Sequence, residues 1–236
     1  MSDIPLEAIK PTYPPTPIPR ANASHESPSI QSLISSLNLI PHPEGGYFVE
    51  TDRNPLRIAN PYHDGKITSI NNEDPETFSR TSDLKANAPN TSKNNSAEDN
   101  DTTRSASTSI YYLLTPGSPL GAFHRNKSRT VHTLHRGRGR YVIIHADRAR
   151  RAGANAKAEI ETFVVGQNVE KGERLQWIVE GGEYKATFLL PDRDEGGLQG
   201  SGGLLISETV VPGFDFADHD FLEPEGLERL LEPEQV

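Results

Sequence analysis

The sequence predicts an all-β domain of the jelly-roll type, opened by a short helix and closed by a helical turn. Three observations predict it: about eight short strand-like runs, turn signals between almost every pair of them, and hardly any helical periodicity in the ordered part. The runs are Tyr47 to Asp52, Thr108 to Leu114, Thr130 to Leu134, Tyr141 to His145, Ile160 to Val165, Leu175 to Val179, Tyr184 to Leu190 and Leu204 to Val211. Pro116-Gly117, Gly137 with Gly139, Gly172, Gly181-Gly182 and the Gly-rich stretch Gly196 to Gly203 punctuate them. A double-sheet arrangement is the one that best hides so many strand edges. Ile30, Leu33, Ile34 and Leu37 recur at helical spacing behind serines able to cap them, which predicts the opening helix. Pro224 to Leu231 gives the closing turn.

Composition divides the 236 residues further. Residues 1–28 form a Pro/Ser/Thr-rich arm, and about 60–103 is a polar tract with almost no large apolar side chain. Neither can bury enough surface to offset the entropy of ordering it, so both are expected to be disordered. The second tract then interrupts a domain over 29–223, with 224–236 as helix and tail. Removing both leaves on the order of 160 residues, an ordinary domain size. A formal net charge of −9 argues against nucleic acid and anionic membrane surfaces as partners. With no cysteine, disulfides and thiolate chemistry are excluded. No stretch resembles a signal peptide or a membrane span, which predicts a cytosolic protein with nuclear access open.

Four ordered blocks carry a family resemblance: Pro41-His42-Pro43-Glu44-Gly45-Gly46-Tyr47-Phe48, Ser107 to Leu114, Phe123-His124-Arg125, and Val211-Pro212-Gly213-Phe214-Asp215-Phe216. Together, from about Leu33 to Phe221, they resemble an uncharacterised family of the cupin superfamily, a domain of unknown function. Its jelly roll is similar to that of the rhamnose-pathway sugar epimerases. The resemblance implies a cupin barrel, a small-molecule ligand and a homodimer, and brings no agreed reaction.

Metal-binding cupins place three histidines and a glutamate inside the barrel, a set suited to a divalent transition metal. On this chain the resemblance puts His124, Asn126, Thr130 and Lys185 at those positions. Only His124 is a metal ligand by type, so no metal and no other cofactor is expected. A rearranged set from His124, His132 and His135 is disfavoured by strand parity. If Thr130 faces inward, so do His132 and Leu134, while His135 points away.

What remains is a metal-independent acid-base interior. His124 is the candidate base, beside Lys185 and Tyr112 as proton donors or oxyanion stabilisers; Tyr111 and Tyr112 point to opposite faces, and which of them enters the barrel stays open. Tyr47, Glu50, Arg125, His132, Trp177, Tyr184, Phe214 and Asp215 are the candidate ligand-binding residues. For each a plainer role is available: core aromatic, satisfied histidine, or solubilising charge. Asp218 joins Asp215 as a carboxylate at the barrel mouth. The expected function is small-molecule binding, with isomerase, epimerase or lyase chemistry on a small polar or anionic metabolite. A non-catalytic ligand-binding or sensor protein is the alternative, and a metal-dependent enzyme with a rearranged site the third reading.

Overall fold

A computed structural model describes residues 10–14, 22–63, 102–153, 156–194, 197–198 and 200–235. Its strands in chain order are β1 (Ile40–Pro41), β2 (Tyr47–Arg53), β3 (Arg57–Ala59), β4 (Thr103–Ser105), β5 (Thr108–Leu114), β6 (Leu120–Arg125), β7 (Arg129–Arg136), β8 (Gly139–Ile144), β9 (Ile160–Val165), β10 (Gln176–Val179), β11 (Tyr184–Leu189), β12 (Arg193–Asp194), β13 (Gly197–Leu198), β14 (Leu204–Val211) and β15 (Asp220–Phe221). Among the described residues three α-helices accompany them, besides short 3-10 turns: α1 (Pro28–Ser36), α2 (Ala146–Ala152) and α3 (Pro224–Leu230). The eight predicted runs are all strands. β6 was not predicted as a strand, because Gly121 and the mixed polarity of Leu120–Arg125 give it no clear alternation. α2 was not predicted either: its Arg-rich sequence reads as a solvated surface.

The main strands form two antiparallel sheets, one in the order β1-β2-β5-β14-β7-β10 and the other β15-β6-β11-β8-β9. Alternation along each strand sorts its side chains into an inner and an outer set. Tyr112, Leu114, Leu134, Trp177, Val179, Leu204 and Ile206 from the first sheet meet Tyr141, Ile143, Phe163, Val165 and Leu189 from the second, which makes one apolar barrel interior. The outer face of the second sheet is covered by α2 and α3, through Val142, Ile144, Tyr184, Phe188, Ala146 and Leu227. The outer face of the first is covered by α1, whose Ile30 and Ile34 pack on Tyr47, Leu113 and Leu205. The Ser27 hydroxyl accepts from the Ile30 amide and Pro28 opens the first turn, the predicted capping.

The arm expected to be disordered is, where described, seated on the barrel. Glu26 is buried and accepts from the Thr115 hydroxyl at 2.5 Å, and Tyr13 packs against the inner cluster. Residues 64–101 of the polar tract lie outside the described residues. Its two ends are held together: β3 pairs with β4, and the Asn60 amide donates to the Thr102 carbonyl at 2.9 Å.

Candidate functional site

Two polar groups interrupt the apolar interior. The first lies where the sheets face each other. β7 and β14 carry His132 and Glu208 as cross-strand partners, and β11 on the other sheet carries Lys185. Lys185 Nζ donates to Glu208 Oε2 at 3.0 Å and lies 3.3 Å from His132 Nε2. The Tyr141 hydroxyl, also from the second sheet, is 2.9 Å from the same nitrogen. Trp177 stacks on the His132 ring at 5.2 Å, its planes 8° apart. Lys185 is 2% exposed and His132 not at all.

Electrostatics fix the protonation states. Burial disfavours the imidazolium and, with Lys185 beside it, lowers the His132 pKa even though Glu208 pulls the other way. Burial alone would raise the Glu208 carboxyl, but Lys185 and His132 overcome it and hold the group well below the carboxylate range. Burial pushes the Tyr141 phenol far above its ordinary value, and the Glu208 charge adds to that, so it keeps its proton.

The second group is assembled from three distant segments. Glu44 stands in the turn before β2, closed by a hydrogen bond from the His42 amide to the Gly46 carbonyl at 2.9 Å. Gly46 has φ +71°, and a Cβ there would lie 2.5 Å from the Leu113 carbonyl, so the turn requires glycine. The Glu44 carbonyl accepts from the Ala122 amide at 2.7 Å, which fastens the turn to β6 beside His124. β15 pairs with the far edge of β6, bringing His219 into parallel stacking on His124 at 5.3 Å. His219 Nε2 is 2.6 Å from Glu44 Oε1, and His124 Nδ1 is 3.3 Å from Glu44 Oε2 and 2.9 Å from the Ala122 carbonyl. All three side chains are buried. His42 lies at the edge, Nδ1 3.7 Å from Glu44 Oε2 and its side chain 14% exposed.

Burial lowers the His124 pKa to about 3 against the opposing pull of Glu44, and Lys185 and His219 lower it further, so His124 is neutral. Glu44 goes down to about 2: burial works to raise it, and His124, His42 and His219 outweigh that.

Several expected site residues are here. His124 and Lys185 are cross-strand partners on the inner face, and His132 and Trp177 line the interior. Tyr112 is the inward tyrosine and Tyr111 packs outside, on the α1 side. Its hydroxyl, however, is committed to the Gly45 carbonyl at 2.8 Å, and burial raises its pKa well above 10, so it braces the Glu44 turn and has no free proton to give.

Other expectations are corrected. Tyr47 and Tyr184 alternate with Phe48 and Lys185 and therefore belong to the outer clusters. Arg125 is also on the outer face, paired with Asp220 at 3.0 Å and lying over the Tyr184 ring at 4.6 Å. Glu50 sits at a register shift in the middle of β2, where Arg53 takes both carboxylate oxygens, at 3.0 and 2.7 Å. Asp215 is exposed and caps the turn at Ala217, while Asp218 is buried between Arg104 and Lys127 and does not rim a mouth. Phe214 is half-buried, 6.3 Å from the His219 ring, and flanks the second group.

The sequence reading missed Glu44, His219, His42, Glu208 and Tyr141. Glu208 had left a signal, since it shares parity with Leu204, Ile206 and Val210 and so points inward from an apolar strand.

The usual cupin metal positions do not fit an ion. Asn126 and Thr130 offer an amide and a hydroxyl, and at the fourth position the Lys185 ammonium, bound to Glu208, already supplies the positive charge.

The match to a family model described as Cupin superfamily (DUF985), over residues 31–222, decides the family. This chain is a cupin. It is 39% identical over 211 residues to an uncharacterised protein of Saccharomyces cerevisiae, covering 88% of this cupin and 83% of that protein. Among solved structures, the cupin is similar to a hypothetical protein from Leishmania major, with TM-score 0.59, 26% identity, and 87% and 94% of the two chains covered. A Shewanella oneidensis protein with TM-score 0.52 and 20% identity, covering 86% of this cupin and 97% of that chain, shares the fold. No described helix of the cupin is long and apolar enough to cross a membrane.

Proposed function

We propose that this cupin binds a small, polar, oxygen-bearing metabolite inside its barrel and moves a proton on it, as an isomerase, epimerase or lyase does. One observation carries the reading: Lys185, Glu208 and His132 are buried together in the middle of an apolar core, where an ion pair contributes little to stability for what its desolvation costs. Exposure is graded along the interior. The side chains of His42, Glu208, Glu44 and His124 are 14%, 10%, 9% and 8% exposed, against 2% for Lys185 and 0% for His132. A ligand therefore reaches His42, Glu208, Glu44 and His124 first, with Lys185 and His132 enclosed behind them.

In this reading Lys185 is the catalytic residue, its ammonium facing the oxygen that becomes negative when a proton leaves the neighbouring carbon. His132, kept neutral by burial, accepts the proton that leaves the carbon and returns it to the ligand, with the Tyr141 hydroxyl 2.9 Å from its Nε2. Glu208 holds the ammonium in place. His124, neutral, lies toward the polar end of the ligand. The homodimer belongs to the same reading and rests on the family resemblance.

Proton exchange tests it. The protein is incubated in D2O with hydroxy acids, keto acids, sugars and sugar nucleotides, each followed by mass spectrometry. One compound should gain a single carbon-bound deuterium, and Lys185→Met should abolish the gain. A small molecule that co-purifies and binds yet never exchanges would refute catalysis and make this a ligand-binding protein.

A further inference from the structure

The Glu44 group has a charge imbalance that the Lys185 group lacks. Lys185 is neutralised by Glu208, whereas Glu44 is a buried carboxylate whose ionic contacts among the described residues are imidazoles: His219 at 2.6 Å, His124 at 3.3 Å and His42 at 3.7 Å. A buried charge without a full counter-charge is costly, and a cation removes the cost. The donors are already gathered. Glu44, His124 and His219 each offer a ligand atom within 4.8 Å of the other two, and all three residues are buried.

A second feature points the same way. The Glu44 carboxylate, 2.6 Å from His219 Nε2, draws that ring's proton to Nε2 and leaves the Nδ1 lone pair buried with no hydrogen-bond partner among the described residues, an unused donor atom. His124 Nδ1, by contrast, lies 2.9 Å from the Ala122 carbonyl, the kind of backbone contact that orients a metal-binding imidazole. The backbone delivers the three residues firmly. The Glu44 turn is tied to β6, His124 is on β6, and His219 immediately precedes β15, which pairs with β6.

We propose that Glu44, His124 and His219 form a binding site for one divalent first-row transition-metal ion, separate from the usual cupin ligand positions. Two imidazole nitrogens and one carboxylate suit zinc, iron, cobalt or manganese, and are too few in oxygens for calcium or magnesium. Three protein ligands leave coordination positions for oxygens of the metabolite, which narrows its class to compounds with two adjacent oxygen donors, such as a hydroxy or keto acid. This last step rests on the reading of the interior as a ligand site. The metal site itself does not.

Metal-stripped protein is dialysed against zinc and, separately, cobalt, and the metal retained is measured by elemental analysis. About one equivalent is expected. Glu44→Gln and His219→Gln should each weaken zinc binding by about 100-fold or more, at or beyond the upper end of the roughly 10–100-fold that loss of an outer-shell partner costs, while Asp215→Asn should leave it unchanged. X-ray absorption on zinc-loaded wild-type protein should show two imidazoles, a result that needs no variant to fold. Retention of only a small fraction of an equivalent, fewer than two imidazoles at the zinc, or full binding by both folded variants would overturn the proposal. Deuterium exchange by stripped protein separates the two readings: exchange that persists without metal leaves the Lys185 mechanism standing, and one bound equivalent without exchange leaves the metal site standing alone.

Discussion

Replacing Lys185 by methionine removes the ammonium and keeps an unbranched chain of similar length. Lys185 is 2% exposed and Glu208 8%, and 3.0 Å separates their charged atoms. Removing one partner of a pair so buried leaves a carboxylate without a cation, at a cost of about 3–5 kcal/mol. The sequence alone supports a much smaller cost, roughly 1 kcal/mol, provided that Lys185 stands outside any satisfied buried network. The structure removes that condition. The penalty should also depend on pH. Without Lys185, burial dominates at Glu208 and raises its folded pKa above the unfolded value. The unfolded chain then releases that proton more readily than the folded one, so the variant loses stability relative to wild type as pH rises. Urea melts of wild type and Lys185→Met at pH 5.5 and pH 8 should show the larger difference at pH 8. The double variant Lys185→Met/Glu208→Leu, which removes both charges, should recover most of the loss, because a well-packed apolar pair commonly equals or exceeds a buried ion pair. A single variant that costs under about 1 kcal/mol, or a double variant no more stable than the single, would refute the account of the pair as desolvated.

Acid should unfold the metal-free protein steeply. His42, His124 and His132 are all kept neutral by burial, so below about pH 6.5 each gains a proton in the unfolded chain and not in the folded one. Stability therefore falls as pH falls, by up to about 4 kcal/mol per pH unit near pH 5 if all three stay neutral. Glu44 and Glu208, with depressed folded pKa values, add to the loss only below about pH 4.3. Urea melts in chelator from pH 7.5 to 4.5 measure the slope, and a flat profile would count against buried neutral histidines. Excising residues 64–101 and joining the ends with a short Gly/Ser linker should shift the Tm by only a few degrees, because β3 and β4 already hold residues 60 and 102 side by side. Insoluble protein would show that the tract is part of the domain.

Strand parity made much of the fold and part of the interior legible. Ile110, Tyr112 and Leu114 share a face, and His132 and Leu134 point in where His135 points out, all from period-two alternation. The same rule could have removed Tyr47 and Tyr184 from the pocket, since their neighbours Phe48 and Lys185 take the inner face. It could also have added Glu208. The Glu44 group was beyond it. His219 and Glu44 are 175 residues apart, and each lies in an irregular segment whose course is set by tertiary contacts, the turn on β6 and the pairing of β15. Of the usual cupin positions 124, 126, 130 and 185 only the first carries a ligand by type, and strand parity, which parts His135 from His132, carries no information on Glu44 or His219. Lys185 was placed inward, but its partner was assigned as His124; on the folded chain its ammonium reaches across the barrel to Glu208.

That reach across the barrel also guards the pairing of β11. Its two faces carry opposite chemistry, Tyr184 and Phe188 outward, Lys185 and Leu189 inward. A slip of one residue would exchange them, sending the ammonium into the apolar layer beneath α2 and α3 and setting a phenol ring against Glu208. Most sheets lose only packing when they misalign. In this barrel the misaligned form would strand two charges at once, so the pair acts as a proofreading device for strand assembly whatever it contributes to the stability of the finished fold.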